Sequence, residues 1–152
     1  MLTVENLRCV RSDRVIFDRL GFCLQEGALL LLKGPNGSGK TSLIKIISGL
    51  IPSDAGEVFW QNTPAQNNPN FKKELMFVGH KSAVKLDSTV RENLQFWACL
   101  YGTELLIPAA LKFFELTKFQ DTMAAELSAG WLRRVALARL VVAPCRLWLL
   151  DE

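Results

Sequence analysis

Residues 28–41 read ALLLLKGPNGSGKT, and the second half of that stretch, Gly34 to Thr41, fits the pattern G-x-x-x-x-G-K-[ST]. Before it runs ALLLLK, apolar enough to read as a strand covered on both faces. After it, Leu43, Ile44, Ile46 and Ile47 recur at helical spacing from Lys40 to Ser48, and Gly49 stands where a helix commonly ends. A strand, a glycine loop and a helix in that order predict an α/β chain.

The residue types also fix a chemistry. A phosphate chain carries several negative charges, so backbone N–H groups must come close, and side chains at Gly37 or Gly39 would block the approach. Gly34, Pro35, Asn36, Gly37, Ser38 and Gly39 form the cradle, while Lys40, Thr41 and Ser42 open a helix whose positive end faces the anion. Lys40 would reach the terminal phosphates as a point charge, and the Thr41 hydroxyl is placed to ligate Mg²⁺. A chance glycine-rich turn would not have both flanks right.

Elsewhere the period alternates between strand and helix. LTVENL and VIFDRLGFCLQ read as strands, PSDAG as a turn, EVFWQ as a strand, NTPAQNNPN as a polar loop and ELMFVGH as a strand. From Ser88 to Tyr101 the pattern is helical: Thr89 and Glu92 have capping-box spacing, and Leu94, Trp97, Ala98 and Tyr101 share a face. A second helix is predicted from about Pro108, carrying Leu111, Phe113 and Phe114, and a third from about Gly130 to Val142. Residues 81–127 thus form a helical insert between 1–80 and 128–152, all within one nucleotide-binding domain.

Composition removes several alternatives. A net charge of +3 spread over 18 basic and 15 acidic residues, without a basic run, predicts no nucleic-acid partner. Cys9, Cys23, Cys99 and Cys145 have no C-x-x-C spacing and His80 is the single histidine, so a zinc cluster is not expected; buried, reduced cysteines are. No apolar run reaches the roughly 18 to 20 residues that span a bilayer. The 49% hydrophobic content leaves room for an apolar docking surface.

The closing LWLLDE places Asp151 and Glu152 at the end of an apolar strand. Beside a phosphate loop, Asp151 is expected to hold Mg²⁺, directly or through water, and Glu152 to orient the attacking water. Upstream, LSAGWLRRVALARL (residues 127–140) resembles the LSGGQ signature and following helix of ATP-binding-cassette (ABC) ATPases, and loop, signature and acidic strand follow in that family's order. The chain resembles most the heme-exporter group serving cytochrome c biogenesis, through VIFDRLGFCLQEG, GPNGSGKTSLIKIISGL, DAGEVFWQ, VGHKSAVK and ENLQFW. The resemblance implies an α/β P-loop NTPase of the ABC type, with an antiparallel β subdomain and a helical insert. It further implies ATP and Mg²⁺ as ligands, with Lys40 and Glu152 catalytic. Ser128, Ala129 and Gly130 of one chain would touch the γ-phosphate held by a second copy. Membrane-spanning subunits would be partners on the cytoplasmic face of the inner membrane, and heme export the driven step. Heme comes from the resemblance alone: there is no Cys-Pro dipeptide, and a lone His80 is a poor axial ligand.

Three positions depart from the family pattern. Arg11 stands where an aromatic residue usually stacks on adenine, and its planar guanidinium could stack instead or lie solvated in a hairpin. His80 takes the place of a glutamine that contacts Mg²⁺, which favours a water-mediated or interface role, imidazole being a reluctant Mg²⁺ ligand. Trp131 replaces the signature glutamine, its indole lodging at the ATP sandwich or against the helical insert. Ser128 could equally serve as a plain helix cap. The family continues past the acidic strand, so the chain is expected to be truncated after it, and to hydrolyse ATP negligibly on its own. The alternatives are a nucleotide-dependent interaction module without turnover, or an ABC ATPase for another substrate.

Overall fold

The computed structural model describes residues 1–79 and 83–151; the expectations for His80 and Glu152 lie outside the described residues. The chain forms two compact units, the first comprising Met1–Leu75 with Asp151, the second Met76–Leu150.

The first unit is built on an antiparallel sheet of order β2-β1-β3-β4, with β1 Leu2–Arg11, β2 Arg14–Leu24, β3 Ala55–Trp60 and β4 Thr63–Pro64. Alternation buries Leu2 and Val4, then Leu7 and Cys9, on one face of β1. The phase shifts between Val4 and Leu7 because Asn6 is left-handed (φ 49°) and bulges the strand. Gly56 of β3 is required there: with φ +80°, a Cβ on it would lie 2.3 Å from the Asn6 carbonyl oxygen. Both tight hairpins use two left-handed residues, Ser12–Asp13 and Gln61–Asn62, as a type I′ turn demands.

NTPAQNNPN is more ordered than its composition predicts. Thr63–Pro64 pairs with β3, and after a single 3₁₀ turn α2 (Phe71–Glu74) begins. The anchor is Phe71, buried at 5.8 Å from the Trp60 ring, while the Glu74 carboxylate accepts the Trp60 indole N–H at 2.7 Å. Long-range apolar contact outweighs local polarity here.

The strand expected at residues 28–33 does not form: Leu29 is 92% and Leu31 67% exposed. An apolar run becomes a strand only with a ladder partner, and none of the described residues supplies one. The loop that follows leads into α1 (Lys40–Ile47), whose Leu43, Ile44, Ile46 and Ile47 are buried as predicted. Gly49 (φ 72°) ends it: Gly49 N–H donates to Ile46 at 3.0 Å and Leu50 N–H to Lys45 at 2.9 Å, a Schellman closure.

In the second unit β5 (Leu75–Val78) pairs with β6 (Leu147–Leu150), and helices α3 (Val90–Tyr101), α4 (Ile107–Phe113) and α5 (Ala129–Val142) pack on one another. Their shared core includes Leu94, Ala98, Leu111, Leu116, Val135 and Val142. The capping box holds: Glu92 N–H donates to Thr89 Oγ1 (3.2 Å) and Thr89 N–H to Glu92 Oε2 (2.8 Å). Buried Asn93 is satisfied, accepting from Lys85 N–H (2.8 Å) and donating to the Lys85 and Thr89 carbonyls (both 2.9 Å).

Burial departs from simple apolarity at several places. Phe113 lies on the open side of α4, 76% exposed, where Ala110 and Leu111 already fill the core side. β6 alternates, with Leu147 and Leu149 buried and Trp148 and Leu150 exposed. The expectation of buried cysteines holds for Cys9 and Cys145 but not for Cys23 and Cys99, which are exposed; none of the four is in a disulfide. Among the described residues no helix is long and apolar enough to cross a membrane, and no three His, Cys, Asp or Glu side chains cluster to hold a metal.

Candidate functional site

The loop ahead of α1 is shaped by glycine backbone. Gly37 (φ +82°) and Gly39 (φ +94°) are left-handed; a Cβ at Gly37 would meet nothing within 4 Å, whereas one at Gly39 would lie 2.3 Å from Ile16 Cγ2. The chain is therefore pressed onto β2 at Gly39 and open at Gly37. Ser38 N–H donates to Pro35 O at 3.2 Å, curling the loop so that residues 34–38 stand exposed. No side chain caps α1 and no acidic residue sits in its first turn, so the N–H groups at Lys40, Thr41 and Ser42 donate to no capping side chain. The Lys40 ammonium folds back over the loop, donating to Gly34 O (2.8 Å) and Pro35 O (3.0 Å).

Asp151 joins this loop from 110 residues away: the Thr41 hydroxyl donates to its Oδ1 at 2.9 Å. The carboxylate residue is only 6% exposed. This spacing suits a shared cation. Two oxygens on adjacent corners of an octahedron with Mg–O of about 2.0–2.1 Å stand about 2.9 Å apart, so these two, hydrogen-bonded here, are near enough to share Mg²⁺ once the hydroxyl turns a lone pair to the ion.

Arg11, at the end of β1, is half-exposed and engaged. Its Nη1 donates to Val10 O at 2.8 Å and lies 3.7 Å from Asp54 Oδ2, which also accepts Val10 N–H at 2.7 Å. Sequence reading missed Asp54, placing it in a turn without a partner.

In the second unit Ser128, Ala129 and Gly130 stand exposed at the start of α5. Ser128 has the backbone of a cap residue (φ −65°, ψ 161°), yet its hydroxyl makes no capping bond. Gly130 is helical with nothing within 4 Å of an added Cβ, so the chain's own packing gives no reason for a residue that costs about 1 kcal/mol in a helix. Trp131 packs against the helical insert, its ring 4.6 Å from that of Phe119. Two arginines of α5 that the sequence did not single out hold the exit of β5. Arg133 donates to Gly79 O at 2.7 Å and Arg139 to Phe77 O at 3.3 Å. Burial, followed by repulsion from Arg133, lowers the Arg139 pKa; its guanidinium lies over Trp97 (5.4 Å), and its Nε finds no partner among the described residues. Such a buried cation betrays itself in sequence only as an arginine on an apolar helix.

Comparison with known proteins places these features. The ABC transporter family pattern matches residues 17–152. The chain is 43% identical to the cytochrome c biogenesis ATP-binding export protein CcmA of Aliivibrio fischeri, covering all of this chain and 76% of that protein. It is 42% identical to the protein of the same name from Wolbachia pipientis, covering 74% of it. Among solved structures, a putative ABC transporter ATP-binding protein from Pyrococcus furiosus superposes with a TM-score of 0.86 at 28% identity, over 98% of this chain and 74% of that one. An ATP-binding cassette described as a dimer bound to ADP and Pi shares the fold, at a TM-score of 0.85 and 22% identity, over 100% of this chain and 74% of that one. With a phosphate loop, a buried aspartate on its threonine and the family pattern over most of its length, the chain belongs to the ABC transporter ATP-binding family, among relatives of the cytochrome c biogenesis export proteins.

Proposed function

We propose that this chain binds Mg-ATP and, only in an assembly with a second ATP-binding domain, takes part in its hydrolysis to drive an export step of cytochrome c biogenesis, with heme as the cargo. The observation that carries the reading is the Thr41–Asp151 contact at the start of a helix with no side-chain cap, with the Lys40 ammonium folded over the glycine loop that precedes it. Gly34, Pro35, Asn36, Gly37, Ser38, Gly39 and Ser42 would line the phosphates, and Arg11 would stack on the base if it leaves Asp54. Mg²⁺, bound by Thr41 and Asp151, would neutralise charge on the β- and γ-phosphates. Lys40 holds the transferring group, and Glu152 would orient the attacking water. His80 would act through water or at an interface. The exposed, side-chain-uncapped start of α5, with its otherwise unexplained Gly130, supports a role for Ser128, Ala129 and Gly130 on the γ-phosphate of a second copy. Membrane-spanning partners and a peripheral position on the cytoplasmic face of the inner membrane belong to the same reading, which the relatives' name as ATP-binding export proteins supports only as far as export.

Lys40→Ala tests this directly. It leaves the β- and γ-phosphates without their main compensating charge, so titration calorimetry is expected to register loss of most Mg-ATP affinity. Unchanged affinity would remove the loop from the site. A reading as a nucleotide-dependent module without turnover is separated by phosphate release from the assembly with a second ATP-binding domain: it predicts binding with none.

A further inference from the structure

The start of α5 lacks the usual means of fixing a helix end. Ser128 makes no side-chain cap, no acidic residue occupies the first turn, and Gly130 weakens it further. What holds this turn is Trp131. Its ring meets Phe119 at 4.6 Å and 61°, an edge-to-face contact. The Arg134 guanidinium lies 4.6 Å from the indole centre, and Lys118 Nζ lies 5.5 Å from it and 4.9 Å from the Phe119 ring. Arg134 also pairs with the Glu115 carboxylate and reaches the Phe114 carbonyl at 3.4 Å. Two aromatic faces and one carboxylate thus hold two cations together between α5 and residues 114–119.

We propose that Trp131 is a positioning residue, clamping the first turn of α5 to residues 114–119 in place of a cap and so setting the angle at which residues 128–130 are presented. A glutamine amide has no face for two cations and no edge for Phe119, so this chain fixes its signature end by a different device from the one its family pattern implies. The inference rests on the proposed role of residues 128–130 at a second nucleotide.

Hydrogen exchange by mass spectrometry on the 152-residue chain tests the clamp independently of that role. Trp131→Gln, and Phe119→Leu from the opposite side, are expected to speed exchange about tenfold over residues 129–133, sparing residues 136–142. Trp131→Phe, which keeps a ring face, should stay within about twofold of the parent. Parent-like exchange in Trp131→Gln, acceleration along all of α5, or equal effects of Phe and Gln would each overturn the proposal. In the chain paired with a second ATP-binding domain, Trp131→Gln should cost about fivefold or more in kcat with KM for ATP within about twofold, and Trp131→Phe should restore turnover. A Trp131→Gln protein as fast as the parent also overturns it. If the parent hydrolyses no ATP in that assembly, the functional reading fails, and the exchange comparison still decides the clamp.

Discussion

A methyl group added at Gly39 and one added at Gly37 probe opposite sides of the same loop. Both residues are left-handed, so alanine at either carries a conformational cost of about 1–2 kcal/mol. At Gly37 nothing further is met. At Gly39 the new Cβ falls 2.3 Å from Ile16 Cγ2 and 3.4 Å from the Phe17 ring. Ile16 is β-branched and stiff at χ1, so relief requires moving β2 or the loop, an overpacking cost of about 1–3 kcal/mol. The expected losses are thus about 1–2 kcal/mol for Gly37→Ala and about 2–5 kcal/mol for Gly39→Ala, read by urea unfolding. Nucleotide affinity should divide the other way relative to stability. Gly37→Ala places its methyl on the open side of the loop, where phosphates would approach, and should weaken Mg-ATP by at least about tenfold, or ~1.4 kcal/mol, despite its milder unfolding effect. Equal destabilisation by the two alanines, or parent-like ATP affinity in Gly37→Ala, would refute the assignment of one glycine to packing and the other to ligand approach.

Thr89→Ala removes one half of the capping box on α3 and should cost about 1 kcal/mol in unfolding, with Thr89→Asp recovering most of it. Tyr101, the single tyrosine, should ionise with a midpoint near 12, followed by phenolate absorbance, because its partly buried setting disfavours the phenolate and the neighbouring Cys145 adds to the rise. The sign follows from the shift: the folded state keeps its proton longer than the unfolded chain, so this contribution to stability is whole below pH 10 and lost as the pH climbs toward 12. A titration midpoint near 10 in the folded chain would contradict this desolvation.

What could be read in advance was whatever depends on neighbours in sequence. The α1 face, the Thr89–Glu92 box and the stop at Gly49 are local, and each stands where its pattern put it. Residues 28–33 failed because a strand is a relation between two segments, and apolarity names only one of them. NTPAQNNPN failed in the opposite sense, since its Thr63 and Pro64 pair with Trp60 and Phe59, outside the stretch being judged. At the candidate site the phosphate loop is a local motif, but the pairing of Arg11 with Asp54 and the hold of Arg133 and Arg139 on β5 depend on long side chains reaching across the fold. No periodicity records that.

The contact between Thr41 and Asp151 also bears on how the chain folds. Its partners are separated by 110 residues, so it is among the last kind of contact a folding chain can afford, after the local helices and hairpins have shortened the effective loop between them. Any ligand that needs both oxygens will ignore early intermediates, however well their glycine loop is formed. It will favour the finished arrangement alone, by mass action. Added before refolding, such a ligand should slow unfolding more than it speeds folding.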